Sequence, residues 1–372
     1  MKKIGILGGT FNPVHVEHVA LCLSAVKELN LDKLFVMPTY ISPHKNSLPA
    51  SAEDRLNMLK IAFDGYDKIE VSDYEVEKKG KSYTYLTVEH FKKEYDCELF
   101  FILGADMLID FKRWKYPKRI VDACTLAVFG REDYDVDFEK ERQRFIDSYG
   151  KEFVKLNYFG KQVSSTKIRL YSSFNLECGD IPKGVYDYIK ETGLYAADKY
   201  QKFILENLPP KRIKHTADVA SCALKKARML NLDESKVLVA ATLHDCAKYM
   251  DYKSVKGFVL PDGVPNPVVH SFLGAYVAEH VLGVSDEEVL DAIRFHTSGK
   301  PNMTTLGKLI FVADMVEEGR DYQGVEYLRS LYEKDDFEKC FRECLKEEVL
   351  HLINKKQYIY AETLNAYDFY CK

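Results

Sequence analysis

The sequence predicts an α/β domain, with a parallel sheet covered by helices on both faces, followed by an all-α domain. From the start to about Gly193, short apolar runs alternate with helical segments, an order that is typical of a parallel sheet. Beyond about Ala196, apolar residues recur every three or four positions without β alternation, which indicates helices. Because 372 residues are enough for two hydrophobic cores, we expect domains at 1–196 and 197–372.

The expected elements follow in order along the chain. The strands are predicted from short apolar runs at Ile4–Leu7, Leu34–Met37, Ile69–Val71, Leu99–Leu103 and Leu126–Phe129. Helices of the second domain are predicted from apolar periodicity at Lys214–Leu230, Glu234–Lys248, Ser271–His280 and Asp286–Arg294. The charged stretch Arg131–Arg144 is interpreted as a solvated helix face.

Composition and charge narrow the class of protein. Hydrophobic residues make up 46% of the chain and charged residues 30%, as in globular proteins. A formal charge of −4 gives no long-range attraction for nucleic acid, so we expect no such partner. We expect no secretory signal, because Met1 to Ile6 lead straight into a strand without the charged, apolar and cleavage regions of such a signal. We expect no membrane segment, because no apolar run approaches the roughly 18 residues that span a bilayer. Nine scattered cysteines indicate reduced thiols and a cytoplasmic protein.

The first strand leads into the most informative segment of the chain. This segment reads Gly8-Gly9-Thr10-Phe11-Asn12-Pro13-Val14-His15-Val16-Glu17-His18. A glycine turn lets backbone N–H groups approach phosphate oxygens, and the start of the next helix favours an anion. His15 and His18 share one face of that helix. The segment therefore predicts a nucleotide triphosphate site, although two such histidines taken alone are more often ordinary core or surface residues.

A second segment offers groups for the same phosphates. It reads Val163-Ser164-Ser165-Thr166-Lys167-Ile168-Arg169. The Ser164 to Thr166 run can cap the following helix and direct its free N–H groups at a phosphate. Lys167 and Arg169 would offset negative charge during attack at the α-phosphate. The alternative is a plain helix cap with two surface cations.

Segments between the two phosphate-binding motifs, two of which follow predicted strands, suggest how an acceptor binds. These are Pro43-His44-Lys45, Ser82-Tyr83-Thr84 among loop residues, Gly104-Ala105-Asp106 and Trp114, the single tryptophan. Ligands of open α/β sheets bind at the carboxyl ends of the strands. An aromatic ring near a carboxylate suits a flat heterocycle attached to a ribose. Alternatively, Trp114 is a core residue and Asp106 caps the next helix.

Together, these motifs resemble the HxGH nucleotidyltransferases with their Rossmann-like fold, and more closely the bacterial nicotinate-nucleotide adenylyltransferases. The resemblance spans Met1 to about Tyr195. It implies transfer of AMP from ATP, with Mg²⁺, to nicotinate mononucleotide, giving deamido-NAD and pyrophosphate. Glu17 stands where the family usually has a glycine that lies close to the nucleotide. The residues implied as catalytic or nucleotide-binding are His15, His18, Gly8, Gly9, Thr10, Phe11, His44, Lys45, Tyr83, Thr84, Gly104, Asp106, Trp114, Ser164, Ser165, Thr166, Lys167 and Arg169.

Imidazoles and carboxylates in the second domain predict a metal site. The candidate ligands lie on or at the ends of apolar helical segments: His215, His244, Asp245, His270, His296 and Asp314. An adjacent His-Asp pair can present a nitrogen and an oxygen to one or two cations, and the carboxylate can bridge them. The alternative for each buried histidine is a hydrogen bond to a backbone carbonyl.

The second half, from about Tyr200 to the end, resembles the HD superfamily of metal-dependent phosphohydrolases, and within it the symmetrical diadenosine tetraphosphate hydrolases. The resemblance rests on segments such as Leu243-His244-Asp245-Cys246-Ala247-Lys248 and Val312-Ala313-Asp314. It implies a dinuclear metal site, with iron, and hydrolysis of diadenosine tetraphosphate to two ADP. Asp245 and Lys248 are the implied catalytic residues, and Arg320 the implied phosphate contact. The alternative makes Lys248 and Arg320 exposed cations.

Both resemblances combined predict a bifunctional enzyme whose partners are ATP, nicotinate mononucleotide and diadenosine tetraphosphate. One alternative is that the helical half is a non-catalytic nucleotide sensor. Another is that the acceptor of the first half is nicotinamide mononucleotide. The sequence leaves open whether the chain forms a homo-oligomer.

Overall fold

The structure, a computed structural model, divides the chain into two compact units. It describes residues 1–41, 49–131, 136–161, 163–334 and 336–372. The first unit comprises Met1–Ser172 and Glu177–Tyr195, and the second comprises Ser173–Leu176 and Ala196–Lys372. Within these described stretches, no helix is long and apolar enough to cross a membrane.

The first unit is built on a parallel sheet of six strands, counted over the described residues. The strands are β1 (Lys2–Gly9), β2 (Lys33–Pro38), β3 (Ile69–Val71), β4 (Cys97–Gly104), β5 (Thr125–Arg131) and β6 (Val154–Gly160). Their order across the sheet is β3-β2-β1-β4-β5-β6, and every neighbouring pair is parallel. Strands β2 and β3 are therefore added on one side of β1, and β4 to β6 on the other. The boundary between β1 and β4 is the topological switch point, where open α/β sheets bind ligands.

Helices cover both faces of this sheet, as predicted. They are α1 (Val16–Glu28), α2 (Ala52–Ala62), α3 (Tyr74–Lys78), α4 (Thr84–Glu94), α5 (Ala105–Asp110), α6 (Pro117–Ala123), α7 (Phe138–Tyr149), α8 (Ser165–Ser173) and α9 (Lys183–Thr192). Alternate strand residues enter two separate cores, because successive side chains of a strand point to opposite faces. Phe100 and Ile102 of β4 pack in one core with residues of α1, α2 and α9. Leu99 and Phe101 pack in the other core with residues of α4 and α6.

Two details of the first unit differ from the sequence predictions. Strand β6 was not predicted, because Leu156 and Gly160 are its only buried residues and it forms the edge of the sheet. The position of the predicted glycine turn, Gly8-Gly9, was also wrong. Gly8 and Gly9 are still part of β1 and pair with Met37 and Pro38 of β2. The turn to α1 consists of the residues that follow them, Thr10 to Pro13.

The second unit is helical, as predicted. Its helices are α10 (Lys199–Asn207), α11 (Pro210–Ala227), α12 (Glu234–Leu243), α13 (Asn266–His280), α14 (Glu287–Phe295), α15 (Thr305–Val316), α16 (Val325–Glu333), α17 (Phe337–Asn354) and α18 (Ala361–Cys371). Helix α12 ends five residues earlier than the predicted Glu234–Lys248, because the chain turns at His244. His296 likewise follows the last residue of α14 directly. Two of the predicted ligands therefore lie at helix ends.

Candidate active sites

The turn between β1 and α1, residues Thr10 to Pro13, is held through its carbonyl oxygens. Arg55 Nη1 donates to Thr10 O (3.0 Å), Arg169 Nη1 donates to Asn12 O (2.7 Å), and Ser165 Oγ donates to Pro13 O (3.2 Å). The two bonds from arginine have charged donors and are therefore stronger than bonds between neutral groups. The turn, which has no glycine and contains Phe11 at φ +46°, is thus fixed by three side chains from distant parts of the chain.

Imidazoles follow the turn directly, at the start of α1. The His18 Nδ1 accepts the backbone N–H of His15 at 3.2 Å, and the two rings stack with centroids 3.6 Å apart. Phe11 packs edge-on against His18 at 4.9 Å. Because Nδ1 is the acceptor, the neutral His18 ring carries its proton on Nε2. The structure therefore fixes His18 as a donor through Nε2, the form needed to bind a phosphate oxygen.

Arg55 and Tyr195 support this site, and the sequence analysis assigned neither of them a role. Arg55 is only 1% exposed, and its Nη2 also donates to Tyr40 O at 3.2 Å. Tyr195 Oη donates to Asn12 Oδ1 at 2.5 Å. Nothing in the local sequence of α2 marks Arg55, since an arginine on an amphipathic helix is normally exposed. The two side chains thus hold the turn at Thr10 and at Asn12.

The second predicted phosphate segment begins α8 and is bonded to the first. Ser164 Oγ accepts the Lys167 N–H at 3.5 Å, so Ser164 caps the helix as predicted. Arg169 Nη2 donates to Thr166 Oγ1 at 3.0 Å, in addition to its bond to the β1–α1 turn. Lys167 Nζ lies 5.3 Å from the centre of the Tyr171 ring. Arg169 therefore joins the two predicted phosphate-binding segments to each other.

Two of the predicted acceptor residues adjoin a cation. Tyr83 immediately precedes α4, and Lys115 Nζ lies 4.3 Å from the centre of its ring. Thr84 is the first residue of α4, so the prediction of a loop was wrong there. Trp114, next to Lys115, is half-buried against Phe101 and Phe111, with ring centres 6.1 Å and 5.3 Å away. The tryptophan thus has partly the packing of a core residue, and its contact with an acceptor stays a prediction.

Gly104 and Asp106 lie where β4 meets α5. A Cβ atom at Gly104 would come within 2.3 Å of Asp106 Oδ1, so glycine is required for the aspartate to fold back against the strand end. Asp106 lies within α5 and does not cap it. The predicted residues His44 and Lys45 lie outside the described part of the chain.

In the second unit, the six predicted ligands converge around Asp245. Its Oδ2 lies 3.6 Å from His244 Nε2 and 3.9 Å from His215 Nε2. Its Oδ1 lies 3.1 Å from His270 Nε2 and 3.5 Å from His296 Nε2. Asp314 lies beside the histidines that face Asp245 Oδ2, with its Oδ1 at 3.0 Å from His215 Nε2. One carboxylate therefore faces two sets of ligand atoms, one on each oxygen.

Three of the imidazoles are oriented by acceptors behind them. His244 Nδ1 lies 2.7 Å from Ala241 O, and His296 Nδ1 lies 2.8 Å from Ile293 O. His215 Nδ1 lies 3.0 Å from Glu317 Oε1. Since a carbonyl or carboxylate oxygen can only accept, each neutral ring carries its proton on Nδ1 and turns the Nε2 lone pair inward.

This donor set fits divalent metal ions. The Nε2 atoms of His215 and His244 are 3.3 Å apart, and the facing lone pairs of these two rings, when both are neutral, repel at that distance. The Nε2 atoms of His270 and His296 are also 3.3 Å apart. The buried Asp245 Oδ1 accepts no hydrogen bond of good geometry from the described residues. Neutral imidazoles and carboxylates are the ligands that zinc and the first-row transition metals prefer. Cations between these atoms would turn the repulsion into coordination.

Burial and neighbouring charges set the protonation of this cluster. Burial lowers the pKa of His244 to about 3, which keeps it neutral. Burial alone would raise the pKa of Asp245, but the imidazoles of His244, His270 and His296 outweigh it and hold that pKa well below its usual value. Burial would lower the pKa of His215, but hydrogen bonds to Asp314 and Glu317 raise it overall.

Three half-buried cations contact the carboxylates of the cluster. Lys248 Nζ lies 3.5 Å from Asp245 Oδ1 and 3.0 Å from His270 Nε2. Arg320 pairs with Asp314 Oδ1, so neither of the two predicted cations is merely a surface residue. Arg212, which the sequence analysis missed, pairs with Asp245 Oδ2 at 2.7 Å. It precedes His215 by three residues on α11, and this helical spacing was the available signal.

The fold and the two clusters together define a nucleotidyltransferase-type α/β unit joined to an HD-type helical unit. Family models agree with this division: a cytidylyltransferase-like model matches residues 6–170, and an HD domain model matches residues 212–319.

Relatives of the chain carry one or both halves. A protein of Clostridium tetani named "Probable nicotinate-nucleotide adenylyltransferase" is 40% identical over 52% of this chain and 100% of its own length. A Mycoplasma genitalium protein named "Probable nicotinate-nucleotide adenylyltransferase/Ap4A hydrolase" is 29% identical over 86% of this chain and 88% of its own. A crystallised "predicted HD superfamily hydrolase involved in NAD metabolism" from Clostridium acetobutylicum is 32% identical over 46% of this chain and 95% of its own, with a TM-score of 0.43. The chain belongs to the nicotinate-nucleotide adenylyltransferase family and carries an HD domain in its second half.

Proposed function

We propose that the first unit transfers the AMP moiety of ATP, as its Mg²⁺ complex, to nicotinate mononucleotide, giving deamido-NAD and pyrophosphate. The observation that carries this proposal is the link between the two phosphate-binding segments, in which Arg169 of α8 bonds the turn that precedes His15 and His18. Membership of the adenylyltransferase family supports the choice of substrates.

The chain's own groups perform positioning and charge stabilisation in this reaction. His18 donates its Nε2 proton to a phosphate oxygen, and the N-terminus of α1 adds its partial positive charge beside it. Lys167 at the start of α8 offsets the charge that develops at the α-phosphate. The acceptor is held by Tyr83, Thr84, Asp106 and Trp114. Its phosphate, rather than water, then attacks the α-phosphate of ATP, and pyrophosphate leaves.

A comparison of acceptors tests this proposal. The full chain is incubated with ATP, Mg²⁺ and either nicotinate or nicotinamide mononucleotide at equal concentration, and the products are separated by chromatography. We expect deamido-NAD and pyrophosphate in equal amounts, and much slower reaction with the amide. Faster transfer to nicotinamide mononucleotide would instead support the alternative acceptor, and no dinucleotide from either would contradict the proposal.

We propose that the second unit hydrolyses diadenosine tetraphosphate symmetrically to two ADP, using two metal ions, which the resemblance to the HD hydrolases suggests are iron. His215, His244, Asp314 and one oxygen of Asp245 would hold one ion, and His270, His296 and the other oxygen would hold the second. When bound, such ions activate water and neutralise the phosphate under attack. Lys248, Arg212 and Arg320 supply further positive charge for the polyphosphate.

Metal analysis combined with product analysis tests the second proposal. We expect about two metal ions per chain and ADP as the only nucleotide product from diadenosine tetraphosphate. Formation of AMP and ATP would contradict symmetrical cleavage. Bound metal without any turnover would support the alternative of a nucleotide-sensing module. His280→Ala is a matched control for ligand substitutions, because His280 is an exposed histidine of the same unit.

A further inference from the structure

The side chain of Glu17, which occupies the glycine position of the HxGH motif, is bonded to strand β6. Its Oε2 accepts hydrogen bonds from Tyr158 Oη at 2.6 Å and from the Lys161 backbone N–H at 2.9 Å. A Cβ atom built on Gly160, the last residue of β6, would lie 3.8 Å from the same oxygen. The carboxylate therefore lies against the end of β6, in a position defined by two donors.

We propose that Glu17 is a positioning residue for ATP, which holds the start of α8 against the histidine segment; this rests on the proposed adenylyl transfer. Lys161 precedes Ser165, the first residue of α8, by only four residues. Ser165 and Arg169 in turn bond Pro13 and Asn12 of the β1–α1 turn. Arg169 and Ser165 thus join the two phosphate-binding segments directly, and Glu17 bonds the chain just before the second segment.

The chemistry of these bonds suits a fixed contact. A carboxylate that accepts from an O–H and an N–H forms charge-assisted bonds, which are stronger than bonds between neutral groups. Burial raises the pKa of Tyr158, and the hydrogen bond to Glu17 raises it further, so the phenol remains a donor throughout the physiological range. Glu17 also lies in the first turn of α1, where a negative charge is favourable.

The hydrogen bonds from Tyr158 and Lys161 both end on Glu17 Oε2. A series of variants can therefore remove the charge, one bond or both bonds in turn. Glu17→Gln keeps an acceptor oxygen but loses the charge, whereas Glu17→Gly, the residue usual in the family, loses both bonds. Tyr158→Phe removes one bond and leaves Glu17 in place. His90→Ala serves as a control, because His90 is a partly exposed residue of the same unit that pairs with Glu94.

We expect Glu17→Gly to raise the KM for ATP about tenfold, with little change in the KM for the mononucleotide. Glu17→Gln and Tyr158→Phe should have smaller effects in the same direction. Tyr158→Phe should add little in the Glu17→Gly background, because the carboxylate is already gone and only the long contact of Tyr158 Oη with the backbone carbonyl of residue 17 (3.4 Å) is left. A lower melting temperature with both KM values unchanged, or equal changes in both, would overturn the proposal.

A binding measurement separates this proposal from the proposed reaction. Calorimetry with a non-hydrolysable ATP analogue and Mg²⁺ reports ATP binding without turnover. The relevant binding event is the one that His18→Ala weakens, which distinguishes it from nucleotide binding elsewhere in the chain. If the wild-type chain transfers nothing, the proposed reaction fails, but weaker analogue binding by Glu17→Gly would still support the role of Glu17. Unchanged analogue binding by Glu17→Gly would refute it.

Discussion

The two candidate sites differ in which atoms have to be held in place. In the first unit, side chains such as Arg55, Arg169 and Ser165 bond the backbone carbonyls of a short turn. In the second unit the relation is reversed, and the backbone carbonyls of Ala241 and Ile293 orient imidazole side chains. A substitution in the first unit therefore displaces a backbone segment. A substitution in the second changes the number of ligands and the charge of a buried cluster.

The largest expected effects come from removing one central group of each site. His18→Ala removes a donor to phosphate, and we expect adenylyl transfer to fall by about 10²- to 10³-fold.

Asp245→Ala removes the carboxylate that faces both ligand sets, and we expect loss of bound metal and of hydrolysis. Each variant should leave the other activity intact, as measured by the two product assays. Loss of both activities in either variant would show that the sites are coupled, which contradicts two independent constellations.

The next effect concerns the orientation of a single ligand. Glu317→Gln keeps the shape of the side chain but weakens its bond to His215 Nδ1, and we expect metal affinity to fall about tenfold. Competition with a chelator measures the affinity. Glu318→Gln, at the exposed neighbouring position, should have no such effect. Equal affinities of the Glu317 and Glu318 variants would mean that the His215 ring is held by packing alone.

A smaller effect is expected where a neutral side chain holds the turn of the first unit. Tyr195→Phe removes the bond to Asn12 Oδ1, and a bond between neutral groups contributes about 1 kcal/mol. We expect a decrease of about fivefold in kcat/KM for ATP and no change in hydrolysis. Steady-state kinetics of both reactions check this. A hydrolysis defect in this variant would contradict the confinement of Tyr195 to the first site.

The smallest effect is a dependence of stability on pH in the second unit. The pKa of His215 is raised, so its protonation stabilises the metal-free protein at low pH. That contribution is lost as pH rises through the raised pKa. Metal binding requires the neutral ring. We therefore expect the increase in melting temperature on metal addition to be larger at about pH 8 than at about pH 6. A larger increase at the lower pH would contradict the raised pKa.

The sequence was sufficient for elements whose pattern is repeated or strongly apolar. Strands β1, β2, β4 and β5 were predicted because each is a continuous buried run, as expected where helices cover both faces. Strand β6 was missed because an edge strand buries few residues. The end of α12 was also missed, since the apolar pattern continues through Cys246 and Ala247, which are buried outside the helix.

The candidate sites show the same limit. The histidines and aspartates of the second unit could be named from their residue types, yet their grouping around Asp245 depends on five helices, α11 to α15, and could not be derived from spacing. Arg55 was missed because an arginine in a helix carries no signal until its partner is known, and Arg212 was missed although its three-residue spacing from His215 was available. Asn12 and Pro13 were seen only as part of a motif, whereas the structure shows that their carbonyl oxygens are what the supporting residues bind.

The single tryptophan of the chain has a practical consequence. Trp114 belongs to the first unit, next to Lys115 and packed on Phe101 and Phe111. Indole fluorescence of the intact protein therefore originates in the first unit alone, and the second unit contributes none. Changes in emission can be followed as nucleotides are added to the intact protein, with the helical half present and without any introduced label.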